Sequence, residues 1–344
     1  LIEEKPMQAL ILAGGKGTRL RPLTLHTPKP IVPIANRPFL YYQLDLLKPL
    51  NTEGAMDVIL SLSYQPRKIE EALNPDVLGG MRFVPIVEAQ PLGTAGAIKN
   101  AQSFVKGTLL VFNGDVLTDI DLRPVLARHR ERKAAATLVL VEVEDTRAYG
   151  VVELDKDGRI QRFLEKPAPG TTEAKSINAG IYLLEPEVLD LIPPGVEFSF
   201  EYELFPRLLE SRMPLFGEVT KAYWLDIGTP ERYRQANRDV LNGTVRRFPP
   251  GSEAKVTEYG ALIEHTATLR ANVEVVRSVI GSNCLLEEGA QVIDSVVLSG
   301  TRIGEGARVE SSIVGRGSHI GASSVLKNAV LGDKTGITDY SLIQ

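Results

Sequence analysis

From Gln8 to about residue 240, short unbroken apolar runs alternate with segments in which apolar residues recur every three or four positions. Gln8–Ala13, Asp57–Leu62, Met81–Val87 and Thr108–Phe112 have the length and texture of buried strands, and Ala135–Val143 is a longer one. Phe39–Leu50, which follows Pro38, has helical spacing, as do Arg67–Leu73, Ala95–Phe104 and Leu122–Arg132. Strand and helix alternating at this interval predict an α/β fold, a doubly wound and mostly parallel sheet with helices on both faces. Val151–Leu154 and Arg159–Leu164 flank Asp155-Lys156-Asp157-Gly158, which predicts a hairpin. That Asp-x-Asp-Gly also imitates the start of a calcium loop, but the distal glutamate is missing, so the hairpin reading is kept.

The texture then changes twice. Residues 244–252 are polar and rich in proline and glycine, with no periodicity, and read as a linker. Beyond them come five aliphatic–glycine pairs, Ile280-Gly281, Ile303-Gly304, Val314-Gly315, Ile320-Gly321 and Leu331-Gly332. Aliphatic residues recur every five or six positions, at Ile280, Leu286, Val292, Leu298, Ile303, Val309, Val314 and Ile320. So short a period suits a parallel β-helix, each hexad forming one face with its aliphatic residue inward and the glycine permitting the corner. The pattern resembles the left-handed hexapeptide-repeat domain. Two domains are therefore expected, at 7–243 and 253–344, with the residues before Met7 set aside as a ragged extension. Many hexapeptide-repeat proteins transfer acetyl groups from coenzyme A. His265 and His319 have no recognisable catalytic setting, so a structural and assembly role, with homo-oligomers formed through this domain, is the expectation.

Composition narrows the class. The chain has 344 residues, of which 43% are hydrophobic, enough for a core of ordinary density. Its longest apolar runs fall far short of a membrane span, and no charged-then-apolar leader is visible. The single cysteine, Cys284, excludes an intrachain disulfide, so a cytoplasmic, reducing location is expected. The net charge is −4, without a basic block, which argues against a nucleic-acid surface. An anionic substrate must then be held by a few placed cations and by backbone N–H groups.

The segment Leu12-Ala13-Gly14-Gly15-Lys16-Gly17-Thr18-Arg19-Leu20-Arg21-Pro22-Leu23-Thr24 offers such a place. A buried strand runs straight into three glycines, whose backbone can approach an anion closely. The dinucleotide fingerprint fails because Leu20 stands where its third glycine belongs, and the P-loop fails because Lys16 is not in a Gly-Lys-Ser/Thr ending. Thr27-Pro28-Lys29-Pro30 follows, with a proline fixing the backbone on either side of Lys29.

Taken together, Gly-Gly-x-Gly-Thr-Arg-Leu-x-Pro-Leu-Thr and Pro-Lys-Pro resemble the signature of the sugar-1-phosphate nucleotidyltransferases, whose catalytic domain is Rossmann-like. Pro91-Leu92-Gly93-Thr94-Ala95-Gly96 is similar to that family's nucleotide loop, and Phe112-Asn113-Gly114-Asp115 to its metal-aspartate strand end. Tyr149-Gly150-Val151-Val152, Glu165-Lys166-Pro167 and Asn178-Ala179-Gly180 resemble its sugar-phosphate elements, and Trp224–Pro230 its second metal-aspartate segment. A transferase domain followed by hexapeptide repeats, together with Phe200–Pro206, resembles the mannose-1-phosphate guanylyltransferase branch.

The resemblance implies transfer of a nucleotidyl group from a nucleoside triphosphate to a sugar 1-phosphate, with release of pyrophosphate. Leu12, Gly14, Gly15, Gly17, Thr18, Arg19, Gly93 and Thr94 are then expected at the nucleotide. Arg19 and Lys29 would hold the triphosphate, Lys166 the attacking phosphate, and Gly150, Glu165 and Asn178 the sugar. Asp115 and Asp226 would bind Mg²⁺. Glu88, three residues before the Pro-Leu-Gly-Thr-Ala loop, would read guanine, with Gln90 as a rival contact; in the thymidylyl- and uridylyl-transferring relatives that position is typically glutamine. A carboxylate only accepts, and so complements the N1–H and N2–H₂ donors of guanine. A thymidylyl- or uridylyltransferase and a catalytically silent sugar-nucleotide-binding subunit are the alternatives, the latter disfavoured because Lys29, Asp115, Lys166 and Asp226 are all retained. The chemistry needs no general base, since a phosphate monoester has its second pKa near ~6 and is already ionised. It needs positioning and charge neutralisation.

Overall fold

A computed structural model of the chain describes residues 7–52, 56–73, 78–246 and 255–344. The segment before Met7, the linker from 247 onward and the boundary at 253 lie outside the described residues. By packing the chain forms two compact units, one of residues up to Gly15 with Gln43–Trp224, the other of Lys16–Tyr42 with Leu225–Gln344.

The first unit is built on a nine-stranded sheet. β1 (Met7–Leu12) lies between β4 (Asp57–Leu62) and β6 (Thr108–Asn113), parallel to both, and β5 (Arg82–Val87) extends the parallel run beyond β4. The strands β2 (Pro33–Ile34) and β3 (Arg37–Pro38) form a ribbon of their own that belongs to the second unit. Residues 9–11 of β1 and 108–112 of β6 are wholly buried, as strands covered on both faces must be, which is why they read as unbroken apolar runs. The chain leaves β1 for β4 on one side and reaches β6 on the other. The carboxyl ends of β1 and β6 therefore flank the switch point where open α/β sheets take ligands.

Beyond β6 and the short β7 (Val116–Thr118), which lies outside this sheet, the sheet becomes mixed. β11 (Ser176–Leu184) runs antiparallel to β6 and to β8 (Ala136–Glu142), while β9 (Gly150–Leu154) and β10 (Ile160–Glu165) form the expected hairpin. Tyr182 of β11 packs its ring against Phe200 and Phe205. Two expected helices are shorter than their apolar spacing implied. Phe39–Leu47 is α-helical and then tightens into a 3₁₀ turn, Lys48–Leu50, at Pro49. Gly93–Asn100 is likewise followed by a separate 3₁₀ turn, Gln102–Phe104.

In the second unit the repeats form a left-handed parallel β-helix with three sheets. Equivalent residues lie 17 apart, as in Ser278, Ser295, Ser312 and Ala329, where each serine Oγ accepts the N–H of the next residue in the column at 3.0 Å. Two steps of six and one of five make a coil, with strands beginning at Leu262, Thr268, Glu274 and Val279. The five-residue step changes one inward residue: Val297, not Leu298, joins Ile280, Leu286, Val292, Ile303, Val309, Val314 and Ile320 in the core. The glycines also act differently from expectation. Corner residues with left-handed φ include Arg277, Asp294, Ser311 and Asn328. Gly281, Gly304, Gly315 and Gly321 instead sit where a Cβ would strike the backbone of the next coil, at 2.6, 2.7, 2.3 and 2.4 Å respectively. They permit close stacking of the coils. No helix among the described residues is long and apolar enough to cross a membrane.

Candidate active site

In the first unit the end of β1 is packed to place a loop. Ala13 N–H donates to the Ser61 carbonyl at 2.9 Å, and a Cβ on Gly14 would lie 3.1 Å from Ser63 Cβ and 3.5 Å from Glu88 Oε1. Glu88 follows β5 directly, its N–H bonded to the Leu62 carbonyl at 2.8 Å. Its carboxylate accepts from Ser61 Oγ at 2.6 Å and from Leu92 N–H at 3.2 Å, which ties it to the residue before the helix that Gly93 and Thr94 open. Gly93 has φ +70, and a Cβ there would meet the Phe198 carbonyl at 2.8 Å. Thr94 Oγ1 accepts from Phe200 N–H at 2.9 Å. Gln90 is exposed, with a 3.4 Å contact from its amide to the Gly195 carbonyl.

At the end of β6, Gly114 lets the chain pass directly against β1, since a Cβ would stand 2.0 Å from the Leu12 carbonyl oxygen. Asp115 follows at the carboxyl edge. Asn113 turns its Nδ2 toward Tyr182 Oη at 3.5 Å, and its buried Oδ1 has no hydrogen-bond partner among the described residues. An unmet buried acceptor at a sheet edge is the kind of group a ligand completes. Asn178 donates to Tyr182 Oη at 2.8 Å and accepts from Gly180 N–H at 2.9 Å, where the β11 register slips. Gly180 has φ +74, and a Cβ on it would press on the Asn113 side chain at 2.9 Å.

The hairpin delivers the next group. Gly150 pairs with Glu165, and a Cβ at Gly150 would lie 2.8 Å from Glu165 Oε2 and 2.5 Å from the Phe163 ring. Lys166, held before Pro167 at φ +45, donates its N–H to the Tyr149 carbonyl, and its Nζ lies 3.5 Å from Glu165 Oε1. Burial pushes the Glu165 carboxyl above the usual glutamate range, the charge of Glu201 pushes the same way, and Lys166 opposes both. Burial most of all, and also the charges of Glu201 and Asp115, raise the Tyr182 hydroxyl. Tyr149 meets Trp224 edge to face at 5.5 Å, and Trp224 Nε1 donates to the Ala179 carbonyl at 2.9 Å.

The second unit carries the remaining charged residues. Gly17 has φ +60 and accepts from Thr24 Oγ1 at 2.7 Å, and a Cβ on it would press on Thr24 and on Lys29 Cβ at 3.2 Å. Lys29 is buried, in a 3₁₀ turn opened by Pro28, and Thr18 opens the turn that holds Arg19. Arg19 Nη1 lies 3.9 Å from Asp226 Oδ2, and a Cβ at Gly228 would crowd both side chains at 2.9–3.0 Å.

Within each unit, then, the expected residues fall into local sets: Gly14, Glu88, Gly93 and Thr94; Asp115, Gly150, Glu165, Lys166 and Asn178; Gly17, Arg19, Lys29 and Asp226. Leu12 aligns with Ser61 on one side and Asn113 on the other, and Gly15 has nothing within 4 Å of a notional Cβ. Ser61, Tyr182 and Glu201 were not expected. Glu201 sits in a π-helical turn, Phe200–Leu204, capped by Ser199 Oγ, and such turns mark functional sites often enough to have been a signal had the backbone been known.

Glycines that bring backbone close at two strand ends, a few cations and several carboxylates make up these sets, residue types that suit phosphate ligands. The chain belongs to the nucleotidyl transferase family, whose model matches residues 8–243, and residues 257–344 match the GMPPB C-terminal domain. A mannose-1-phosphate guanylyltransferase of Mycobacterium tuberculosis is 43% identical over 239 residues, covering 69% of this chain and 65% of that protein, just under two thirds of its length. A UTP–glucose-1-phosphate uridylyltransferase of Synechocystis is 35% identical over 298 residues, 82% of this chain and 76% of that protein. The crystal structure of HddC from Yersinia pseudotuberculosis complexed with GMP-PN superposes with a TM-score of 0.57 at 33% identity, over 67% of this chain and 98% of that one.

Proposed function

We propose that the protein transfers a guanylyl group from GTP to mannose 1-phosphate, giving GDP-mannose and pyrophosphate. The carrying observation is Glu88, a carboxylate just past the end of β5 that is fastened to Ser61 and Leu92 beside Gly14. The guanylyltransferase relatives and the GMP-PN complex of the HddC structure support the same base. A uridylyl- or thymidylyltransferase acting on glucose 1-phosphate is the second reading, favoured by the Synechocystis relative.

In the mechanism, the ionised phosphate oxygen of the sugar attacks the α-phosphorus. The new P–O bond forms as the bond to the β-phosphate oxygen breaks, and pyrophosphate leaves with the electron pair. Arg19 and Lys29 hold the triphosphate and the departing charge. Lys166 holds the attacking phosphate, while Gly150, Glu165 and Asn178 orient the sugar. The donor chemistry fits Mg²⁺. Among the described residues no three His, Cys, Asp or Glu side chains gather for a metal, and Mg²⁺ uses one or two carboxylates with phosphate oxygens and waters. Asp115 and Asp226 would hold it, and when bound it neutralises phosphate charge. The chain is read as cytoplasmic and as a homo-oligomer assembled through its β-helix.

The test is product identification. GTP, mannose 1-phosphate and Mg²⁺ incubated with the full chain should yield GDP-mannose by mass spectrometry. Absence of that product, with UDP-glucose formed from UTP and glucose 1-phosphate instead, would establish the second reading.

A further inference from the structure

Residues 16–42, which carry Arg19 and Lys29, pack in the same compact unit as the β-helix. Their attachment to the coils is specific. Arg316, at a corner just after the strand Ile313–Val314, donates from Nη1 to Thr27 Oγ1, two residues before Lys29. Thr27 is 5% exposed and Lys29 8%, so this hydroxyl lies inside the packed segment. Arg316 is itself fixed, its N–H donating to Asp333 Oδ1 on the next coil at 2.8 Å. Beside Asp333, Gly332 is so close that a Cβ on it would lie 3.1 Å from Pro22 Cβ. Asn36 Nδ2 donates to the Ile280 carbonyl at 2.8 Å.

The helix Pro230–Leu241 holds the same segment from another direction. Asn237 Oδ1 accepts from Ala35 N–H at 2.8 Å, and Tyr233 Oη donates to the Pro33 carbonyl. Coil corner and helix thus both bond directly to residues 27–35 of the signature segment. A module that served assembly alone would have no need of a bond to the buried threonine that introduces Pro28-Lys29-Pro30.

We propose that Arg316 is a positioning residue for Lys29, so that the β-helix takes part in triphosphate binding. The proposal rests on the reading of Lys29 as a triphosphate ligand. Loss of the guanidinium leaves the Thr27 hydroxyl without its charged donor and frees the turn, and a displacement of about 1 Å at a phosphate contact can cost up to about a hundred-fold.

The test compares the full-length wild type with R316A, R316K, T27V and K29A. Two readouts are taken: substrate KM values for GTP and mannose 1-phosphate, and amide hydrogen exchange in peptides covering 22–34 and 279–314. R316A and T27V should exchange faster in 22–34 with 279–314 unchanged. KM for GTP should rise about ten-fold with KM for mannose 1-phosphate unmoved, and R316K should recover part of the loss. Unaltered exchange in 22–34 in either variant overturns the tether. Faster exchange with an unmoved GTP KM, or both KM values rising together, overturns the positioning role. K29A judges the underlying reading separately, because wild-type GTP kinetics there would dismiss Lys29 as a ligand whatever exchange shows.

Discussion

Replacing Glu88 with glutamine changes one side-chain oxygen into an amide at a group whose surroundings are known atom by atom. Each carboxylate oxygen already takes one protein donor, Ser61 Oγ at 2.6 Å and Leu92 N–H at 3.2 Å. A carboxylate has about four acceptor positions, so two remain for a base. Glutamine can keep the scaffold: its Oε1 faces the Leu92 N–H, and its NH₂ donates to Ser61 Oγ, whose hydroxyl turns to accept. What it cannot keep is a pair of acceptors toward guanine, because the NH₂ then opposes a guanine donor. One such mismatch costs about 1–3 kcal/mol, which is roughly ten- to a hundred-fold in kcat/KM for GTP. The same NH₂ suits a carbonyl of thymine or uracil, so the gap to dTTP and UTP should narrow. The assay is kcat/KM for GTP and dTTP in wild type and Glu88→Gln, with thermal unfolding measured beside it to confirm the retained scaffold. Equal GTP-to-dTTP ratios in the two proteins would mean that Glu88 serves only Ser61 and Leu92.

Three further outcomes are expected. Asp115→Asn and Asp226→Asn should each lose most turnover with little change in fold, and near-normal Mg²⁺-dependent rates in either would remove that residue from the metal site. Gly114→Ala forces a Cβ to within 2.0 Å of the Leu12 carbonyl between two buried strands, so thermal unfolding should report a loss of about 1–3 kcal/mol, and wild-type stability would mean that the strand ends can part freely. Glu201→Gln tests the coupling to Glu165. The fold holds the Glu165 proton to higher pH than the unfolded chain does, so stability falls as pH rises from the ordinary glutamate value near ~4.3 through the raised folded value. Removing the Glu201 charge should therefore raise the melting temperature at pH 7.5 and add nothing below about pH 3, where Glu165 is protonated in both states. A gain of equal size at both pH values would mean that charge repulsion is not its source.

The strands that flank the switch point were legible because burial on both faces leaves an unbroken apolar run, as at Thr108–Phe112, and because Gly114 and Asp115 follow it directly. β11 was not legible. Asn178-Ala179-Gly180 interrupts its apolar texture at the point where its register slips, and the segment reads as a sugar loop alone. Ser61 escaped because it acts through Glu88, distant in sequence, and Tyr182 because only the slipped register of β11 sets its hydroxyl beside Asn178 and Asn113. The repeat was visible, but its glycines were assigned to corners; only the stacking distance between coils reveals that they make room for backbone. Most hidden of all was the bond from Arg316 to Thr27, which spans 289 positions with no local pattern at either end.

Pyrophosphate release measured across GTP, dTTP, UTP and ATP, each against mannose, glucose, galactose and N-acetylglucosamine 1-phosphates, tests the proposed activity without assuming any residue's role. GTP with mannose 1-phosphate should give the highest kcat/KM of the grid, in a Mg²⁺-dependent reaction. A higher value for UTP or dTTP with glucose 1-phosphate would contradict the guanylyl reading, and release from no pair at all would contradict catalysis itself.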